Sequence, residues 1–177
     1  MSTLLLRLAA PMQSWGVASK FDTRDTAREP SKSGVVGLLA AALGRRREEG
    51  MDDLNGLRFG VRVDQPGTFL QDYHTAHSNP QNPPFVTIRH YLVDAIFLVG
   101  LEGEVAFLDE LMRALKNPFY PLYLGRRSCP PVGPLVIGLR HCSLLQALEE
   151  EPWQASEWFQ KRKSNGPIKL TIVCDAE

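Results

Sequence analysis

The chain has 177 residues, room for one substantial core, and its 44% apolar and 23% charged content is that of an ordinary globular domain. No apolar run approaches the about 18 residues that a membrane span needs. Arg7 also interrupts the apolar start "MSTLLLRLAAPMQSWG", which argues against a signal peptide, so a cytoplasmic protein with no membrane partner is expected.

Lysine plus arginine (20) equal aspartate plus glutamate (20), which by itself argues against a nucleic-acid partner, but the charges are unevenly spread. Residues 1–47 carry 8 basic against 3 acidic side chains, residues 48–125 carry 5 against 11, and residues 126–177 carry 7 against 6. A basic face built from the first and last thirds could bind a polyanion while the acidic middle meets protein; scatter over a solvated surface is the plain alternative. Cys129, Cys142 and Cys174 are far apart with no C-x-x-C pair, so neither a disulfide framework nor a zinc site is supported.

In chain order, "TLLLRL" (3–8) has the length and apolarity of a strand and stops at Pro11. Ser31 or Ser33 is a candidate N-cap for a helix in which Val35, Leu38, Leu39 and Ala42 share one face, closed by Gly44 and Arg45 to Arg47. "LRFGVRVDQ" (57–65) alternates, with Leu57, Phe59, Val61 and Val63 facing one way, as a half-buried strand does. "YLVDAIFLVGL" (91–101) is a second β-rich run, "EVAFLDELMRALK" (104–116) an amphipathic helix ended by Asn117-Pro118, and short strands are expected near 120–124 and 134–139.

The order β-α-β, long loop, β-α-β predicts an α+β fold of the ferredoxin-like or RRM-like βαββαβ kind. It would be an antiparallel sheet with both helices on one face and the other face free for binding. The long loop, residues 66–90, holds four prolines. A structureless loop that long within a compact domain is unusual. "GTFLQDY" and "FVTIRHY" read instead as the arms of a protruding hairpin. The domain is expected to occupy residues 1–142, with the 66–90 thumb inserted. A short extension, 143–177, would carry the helix "SLLQALEEE", a connector with Trp153, a basic patch at Lys161 to Lys163 and the last strand "IKLTIVCD".

"EPSKSGVVGLLAAALG" (29–44) puts Lys32 between Ser31 and Ser33 at a helix mouth, but it lacks the glycines that let a P-loop curl around a triphosphate. What remains is a site for a single phosphate of a polymer, or an ordinary cap with a solvated lysine. Gly34 and Gly37 lower the helix's intrinsic stability and make sense where something approaches closely. Gln13 and Trp15 offer an amide and an indole for base contact, although Trp15 could equally be a core plug, and Arg24 and Arg28 can bind phosphate. Arg126 and Arg127 lie in the Gly/Pro-punctuated loop "LGRRSCPPVGP", a polyanion contact or a solvated turn.

Asp72, His74 and His77 have loose ligand spacing without a fourth partner, so no metal and no cofactor are expected. His90, Tyr91 and Lys32 could support metal-independent RNA cleavage, though nothing in their spacing demands it.

Taken together, "LRLAAPMQSWG", "RDT" followed by "PSKSGVVGLLAAALG", "GVRVDQPG", "DYHT", "RHYLVDAIFLVGLEG" and "YPLYLGRRSCPP" resemble, in that order, the CasD family. These are RAMP-superfamily subunits of the type I-E CRISPR surveillance complex, Cascade, and the likeness runs from about residue 4 to residue 153. It implies a non-catalytic RNA-binding subunit that grips the 5′ handle of the crRNA, caps the backbone filament and helps seat the large subunit. Target DNA would be met only indirectly, in antiviral defence. The implied contacts are Ser31, Lys32, Ser33 and Gly34 for phosphate, Gln13 and Trp15 for bases, Arg24 and Arg28 for the RNA backbone, and Arg126 and Arg127 for the handle. Tyr73, His74, Arg89 and His90 stand at the thumb's base. The alternative is a crRNA-processing endoribonuclease, because type I-C relatives cut the repeat themselves.

Overall fold

The computed structural model describes residues 1–16, 23–46, 48–76, 83–163 and 166–175. In chain order its elements are β1 (Ser2–Ala9), β2 (Met12–Gln13), β3 (Thr23–Arg24), α1 (Lys32–Leu43), α2 (Asp52–Asn55), β4 (Arg58–Gln65), β5 (Thr68–Ala76), β6 (Phe85–Val93), β7 (Ile96–Gly103), α3 (Val105–Lys116), β8 (Val136–Arg140), α4 (Leu144–Glu150), α5 (Glu157–Lys163) and β9 (Thr171–Cys174). The fold is mixed α+β. A five-stranded antiparallel sheet runs β8-β1-β7-β4-β9, and a smaller sheet is centred on β6, with β5 along one edge and β2 and β3 on the other.

The helices and strands form largely where periodicity places them. Ser31 caps α1 by accepting the Gly34 N–H, and Gly44 closes the helix with a left-handed φ of 79°. The face Val35, Leu38, Leu39 and Ala42 is buried. Together with Leu108, Leu111 and Leu115 of α3, it packs on the side of the large sheet that carries Leu4, Leu6, Leu8, Phe59, Val61, Phe97 and Val99.

The opposite face corrects one expectation, for it is not free. Leu144, Ala147 and Leu148 of α4 cover it in a second cluster with Leu5 and Leu98. Gly60 and Gly100, paired across β4 and β7, make the close approach possible: a Cβ would lie 2.9 Å from Leu148 and 2.6 Å from Leu144 respectively. Sheet side chains then hold both ends of the helix. Glu102 accepts the Leu144 N–H at 2.6 Å, while Arg62 donates to the carbonyls of Leu148 (2.5 Å), Glu151 (2.6 Å) and Pro152 (3.0 Å). Arg62 and Asp64, 3% and 1% exposed, pair with each other as well (2.7 and 2.9 Å).

Two further expectations are corrected. No strand forms over 120–124. The N–H groups of Phe119 and Tyr120 instead reach back to Ala42 and Ala41, satisfying open carbonyls at the end of α1. The run 91–101 is two strands rather than one, broken where Asp94 adopts φ 57°. The basic patch 161–163 lies on the last turn of α5.

Replacing Arg62 by alanine leaves Asp64 a buried, unpaired charge and releases the end of α4. We expect a loss of about 3–5 kcal/mol in stability, measured by urea unfolding. The double variant Arg62→Met/Asp64→Leu should lose less than the two single changes summed.

Candidate nucleic-acid interface

The root of the β5–β6 hairpin is where the chain gathers guanidinium groups. In β6, Arg89 and Tyr91 are two residues apart and share a face, while His90 points to the other. Arg24 lies opposite Arg89 on the parallel strand β3, and the Arg24 carbonyl accepts from Arg126 Nη2 at 2.8 Å. That bond brings the 124–134 loop over β6 and stacks the Arg126 guanidinium on the Tyr91 ring, 4.7 Å from its centroid. Gly125 permits the approach: its φ is 87°, and a Cβ there would run into the Ser14 carbonyl oxygen.

This cluster has unspent donor capacity. Arg89 Nε and Arg126 Nη1 are buried and have no hydrogen-bond acceptor among the described residues. A buried charged donor without a partner costs about 1–3 kcal/mol or more, so both guanidiniums carry an unmet demand for an acceptor. The hydroxyl of Tyr91 feels the same field. Its burial opposes ionisation, but the Ser128 hydroxyl and then the Arg126 and Arg89 guanidiniums outweigh that and hold its pKa below the ordinary tyrosine value. On the other side of β6, His90 Nδ1 meets Asp25 Oδ1 at 2.7 Å.

The remaining expected residues disperse. Gln13 and Trp15, 0% and 1% exposed, are core groups. The Gln13 amide donates to the carbonyls of Leu8 (3.2 Å) and Ala95 (2.7 Å) and accepts the Trp15 indole N–H at 3.1 Å. Neither has a face left for a base, so both are withdrawn as base contacts, and the core-plug reading of Trp15 is the one that applies. Gly34 is small to clear the Trp15 ring, which a Cβ would meet at 2.9 Å. Ser31 serves as the cap, 3.3 Å from Ser33 Oγ. Lys32 is half-buried and already paired: its ammonium binds Asp175 at 2.7 Å.

The helix start and the 124–134 loop do adjoin, for Ser33, Gly34 and Gly37 line a cleft of about 210 Å³ with Tyr123 and Gly125. Their cations nevertheless diverge, Lys32 toward Asp175 and Arg126 toward β6. Arg28 is exposed and sits over the Phe69 ring at 5.1 Å, and Arg127 is exposed. Tyr73 and His74 lie further out on the hairpin, His74 facing Asp72 at 3.8 Å. His77 falls outside the described residues. Among the described residues no group of three or more His, Cys, Asp or Glu side chains is placed to hold a metal ion.

Sequence reasoning weighs Tyr91 only as a catalytic group and passes over Ser128, Asp25 and Phe69. The i, i+2 spacing of Arg89 and Tyr91 within a strand is the available signal for a shared face.

The sequence matches the family described as "CRISPR-associated protein (Cas_Cas5)" over residues 3–172, and the chain belongs to that family. Among curated proteins it is similar to "CRISPR system Cascade subunit CasD" of Escherichia coli (strain K12), with 39% identity over 194 aligned residues covering 96% of this chain and 86% of the relative. The expected kinship with the CasD family therefore holds. Among solved structures, one described as "CRISPR RNA-guided surveillance complex" aligns with TM-score 0.76 and 41% identity over 84% of this chain and 68% of its own. Another, "Crystal structure of Cas protein", aligns with TM-score 0.71 and 52% identity over 85% of this chain and 71% of its own.

The field at the hairpin root is testable without RNA. Ultraviolet titration should show one of the four tyrosines ionising below the ordinary value, and Arg126→Gln should move that transition upward. An unmoved transition would detach Arg126 from Tyr91.

Proposed function

We propose that the chain is a non-catalytic RNA-binding subunit of a Cascade-type CRISPR surveillance complex, holding the 5′ handle of the crRNA at the root of the β5–β6 hairpin. The observation that carries this reading is the pair of buried guanidinium N–H groups of Arg89 and Arg126, without an acceptor among the described residues and flanked by Arg24. Guanidinium forks suit phosphate oxygens, and a guanidinium already stacked on an aromatic ring is organised for a splayed single strand. Kinship with a protein named as a Cascade subunit supports the setting.

In this reading the sheet order β8-β1-β7-β4 is that of a ferredoxin-like unit, occupying residues 1–142. The 66–90 hairpin is its thumb and 143–177 the extension that closes its second face. Arg28 and Arg127 supply further backbone contacts, and Ser33 and Gly34 border the strand's path. His90, Tyr73 and His74 line the thumb. The backbone filament and the large subunit are its protein partners, target DNA is met through them, and the complex works in the cytoplasm in antiviral defence.

Metal-independent cleavage is the second reading, favoured by the lowered pKa of Tyr91 and by the His90–Asp25 contact. Against it, Tyr91 is 5% exposed and Lys32 is committed to Asp175.

Gel-shift titration of the purified protein with handle RNA separates the two. We expect binding without cleavage in chelator, with Arg89→Gln and Arg126→Gln each weakening affinity about tenfold or more. The log–log salt slope should flatten by about 0.7 for each phosphate that is no longer neutralised. Cleavage abolished by His90→Ala or Tyr91→Phe would replace the subunit reading with the enzymatic one.

A further inference from the structure

A recess of about 520 Å³ lies away from the Arg89–Arg126 cluster, between α5, the connector at Trp153 and the segment leading into β9. It falls within the roughly 300–1,000 Å³ range of pockets that hold small organic ligands. Its walls include the rings of Trp153 and Phe159, 6.0 Å apart at 69°. Its rim carries Arg162, Lys163 and Lys169, all exposed and without a carboxylate partner among the described residues. The acidic lining residue, Asp64, is neutralised by Arg62 at 2.7 Å.

A smaller cleft of about 180 Å³ adjoins this recess and shares Val63, Pro66 and Thr171 with it. Its lining includes Arg28 and Phe69, where the guanidinium sits over the ring, and also Glu29. A surface path therefore runs from the hairpin root at Arg28 over Pro66 to Lys169.

We propose that this recess is a second nucleotide subsite, in which a base of a single strand stacks against Trp153 and Phe159 while Arg162, Lys163 and Lys169 take its flanking phosphates. Cations alone would accept any anion. The aromatic walls select a nucleotide, because every base offers a π-face and stacking is indifferent to sequence. The inference rests on the reading that this side of the protein carries a nucleic-acid strand, and it adds a contact beyond the hairpin root. RNA and DNA share the required chemistry.

The test uses the full chain with fluorescent oligouridylate and oligothymidylate of about 16 nucleotides, the upper end of single-strand site sizes. The triple variant Arg162→Gln/Lys163→Gln/Lys169→Gln should bind at least one of the two about tenfold more weakly and flatten its salt slope by about 2. Ultraviolet cross-links should map to the peptides holding Trp153 and Phe159. Weakening with one oligonucleotide alone supports the subsite and identifies the strand type; weakening with both supports it for either.

If the triple variant binds both like the parent while Arg89→Gln/Arg126→Gln is weakened, the subsite is overturned and the handle site stands. The reverse pattern retains the subsite and removes the handle site, and no change in either variant overturns both. Poly-glutamate bound as tightly as the oligonucleotides, and released in the same triple variant, would overturn nucleotide selection in favour of a general anion surface.

Discussion

Everything on the outer side of the large sheet depends on how α4 is held there. At seven residues it is too short to persist alone, because the first turn fixes many dihedrals for a single hydrogen bond. The sheet supplies what the helix lacks. Glu102 presents a carboxylate to its amino end and Arg62 a guanidinium to its carboxyl end, each opposite in sign to the partial charge of that terminus. Gly60 and Gly100 remove the side chains that would hold it off. The consequence reaches function. A four-stranded sheet with a bare face invites RNA onto its strands, but here that face is a second core, and any strand of nucleic acid must be met at the edges and loops.

The cations follow from this geometry. With a formal net charge of zero, the chain has no general attraction for a polyanion, so position has to do what total charge does not. Arg126 is placed by one hydrogen bond to the Arg24 carbonyl and by stacking on Tyr91. A lysine could make neither the planar stack nor two directed contacts at once. Lys32 has the opposite fate. Its bond to Asp175, whose Oδ2 also accepts the Phe59 N–H at 3.1 Å, ties the start of α1 to the end of β9. The lysine most suggestive of a phosphate in the sequence is thus a fastening for the last strand.

What could be read from the sequence was what local periodicity encodes. The α1 face at Val35, Leu38, Leu39 and Ala42, the cap at Ser31, the α3 span and the hairpin arms all follow from spacing and punctuation. What could not be read depends on contacts between distant residues. Arg62 and Asp64 alternate with Val61 and Val63 as solvent-facing residues would, and only the arrival of α4 buries them. Segment 120–124 has a strand's composition, but its neighbouring N–H groups find helix carbonyls before they find a ladder. Gln13 and Trp15 look like base readers for a related reason, since an amide and an indole serve equally well to satisfy one another inside a core. At the site itself, the arginines were legible as residue types, whereas which of them converge was decided by β3 lying parallel to β6, a pairing no local pattern announces.

The hairpin shows how rigidity and exposure are divided along one element. Near its root β6 is a central strand, bonded to β5 on one edge and to β2 and β3 on the other, and Tyr91 and Leu92 are buried there. Further out, among the described residues, only β5 and β6 support each other, and a two-stranded ribbon by itself is marginal in water. That outer part also carries exposed Tyr73 on β5 and Phe85 on β6, with Phe69 and Leu70 of β5 exposed nearer the root, and the outer edge of β5 pairs with no strand among the described residues. A solitary protein would keep charge or proline on such an edge to prevent pairing. Exposed aromatic side chains beside a strand edge with no partner among the described residues are instead what an arm needs to bury against a neighbour. In the proposed role the two halves answer different demands: the root must hold its arginines in fixed register for a nucleic-acid strand, whereas the arm is completed only by the subunit beside it.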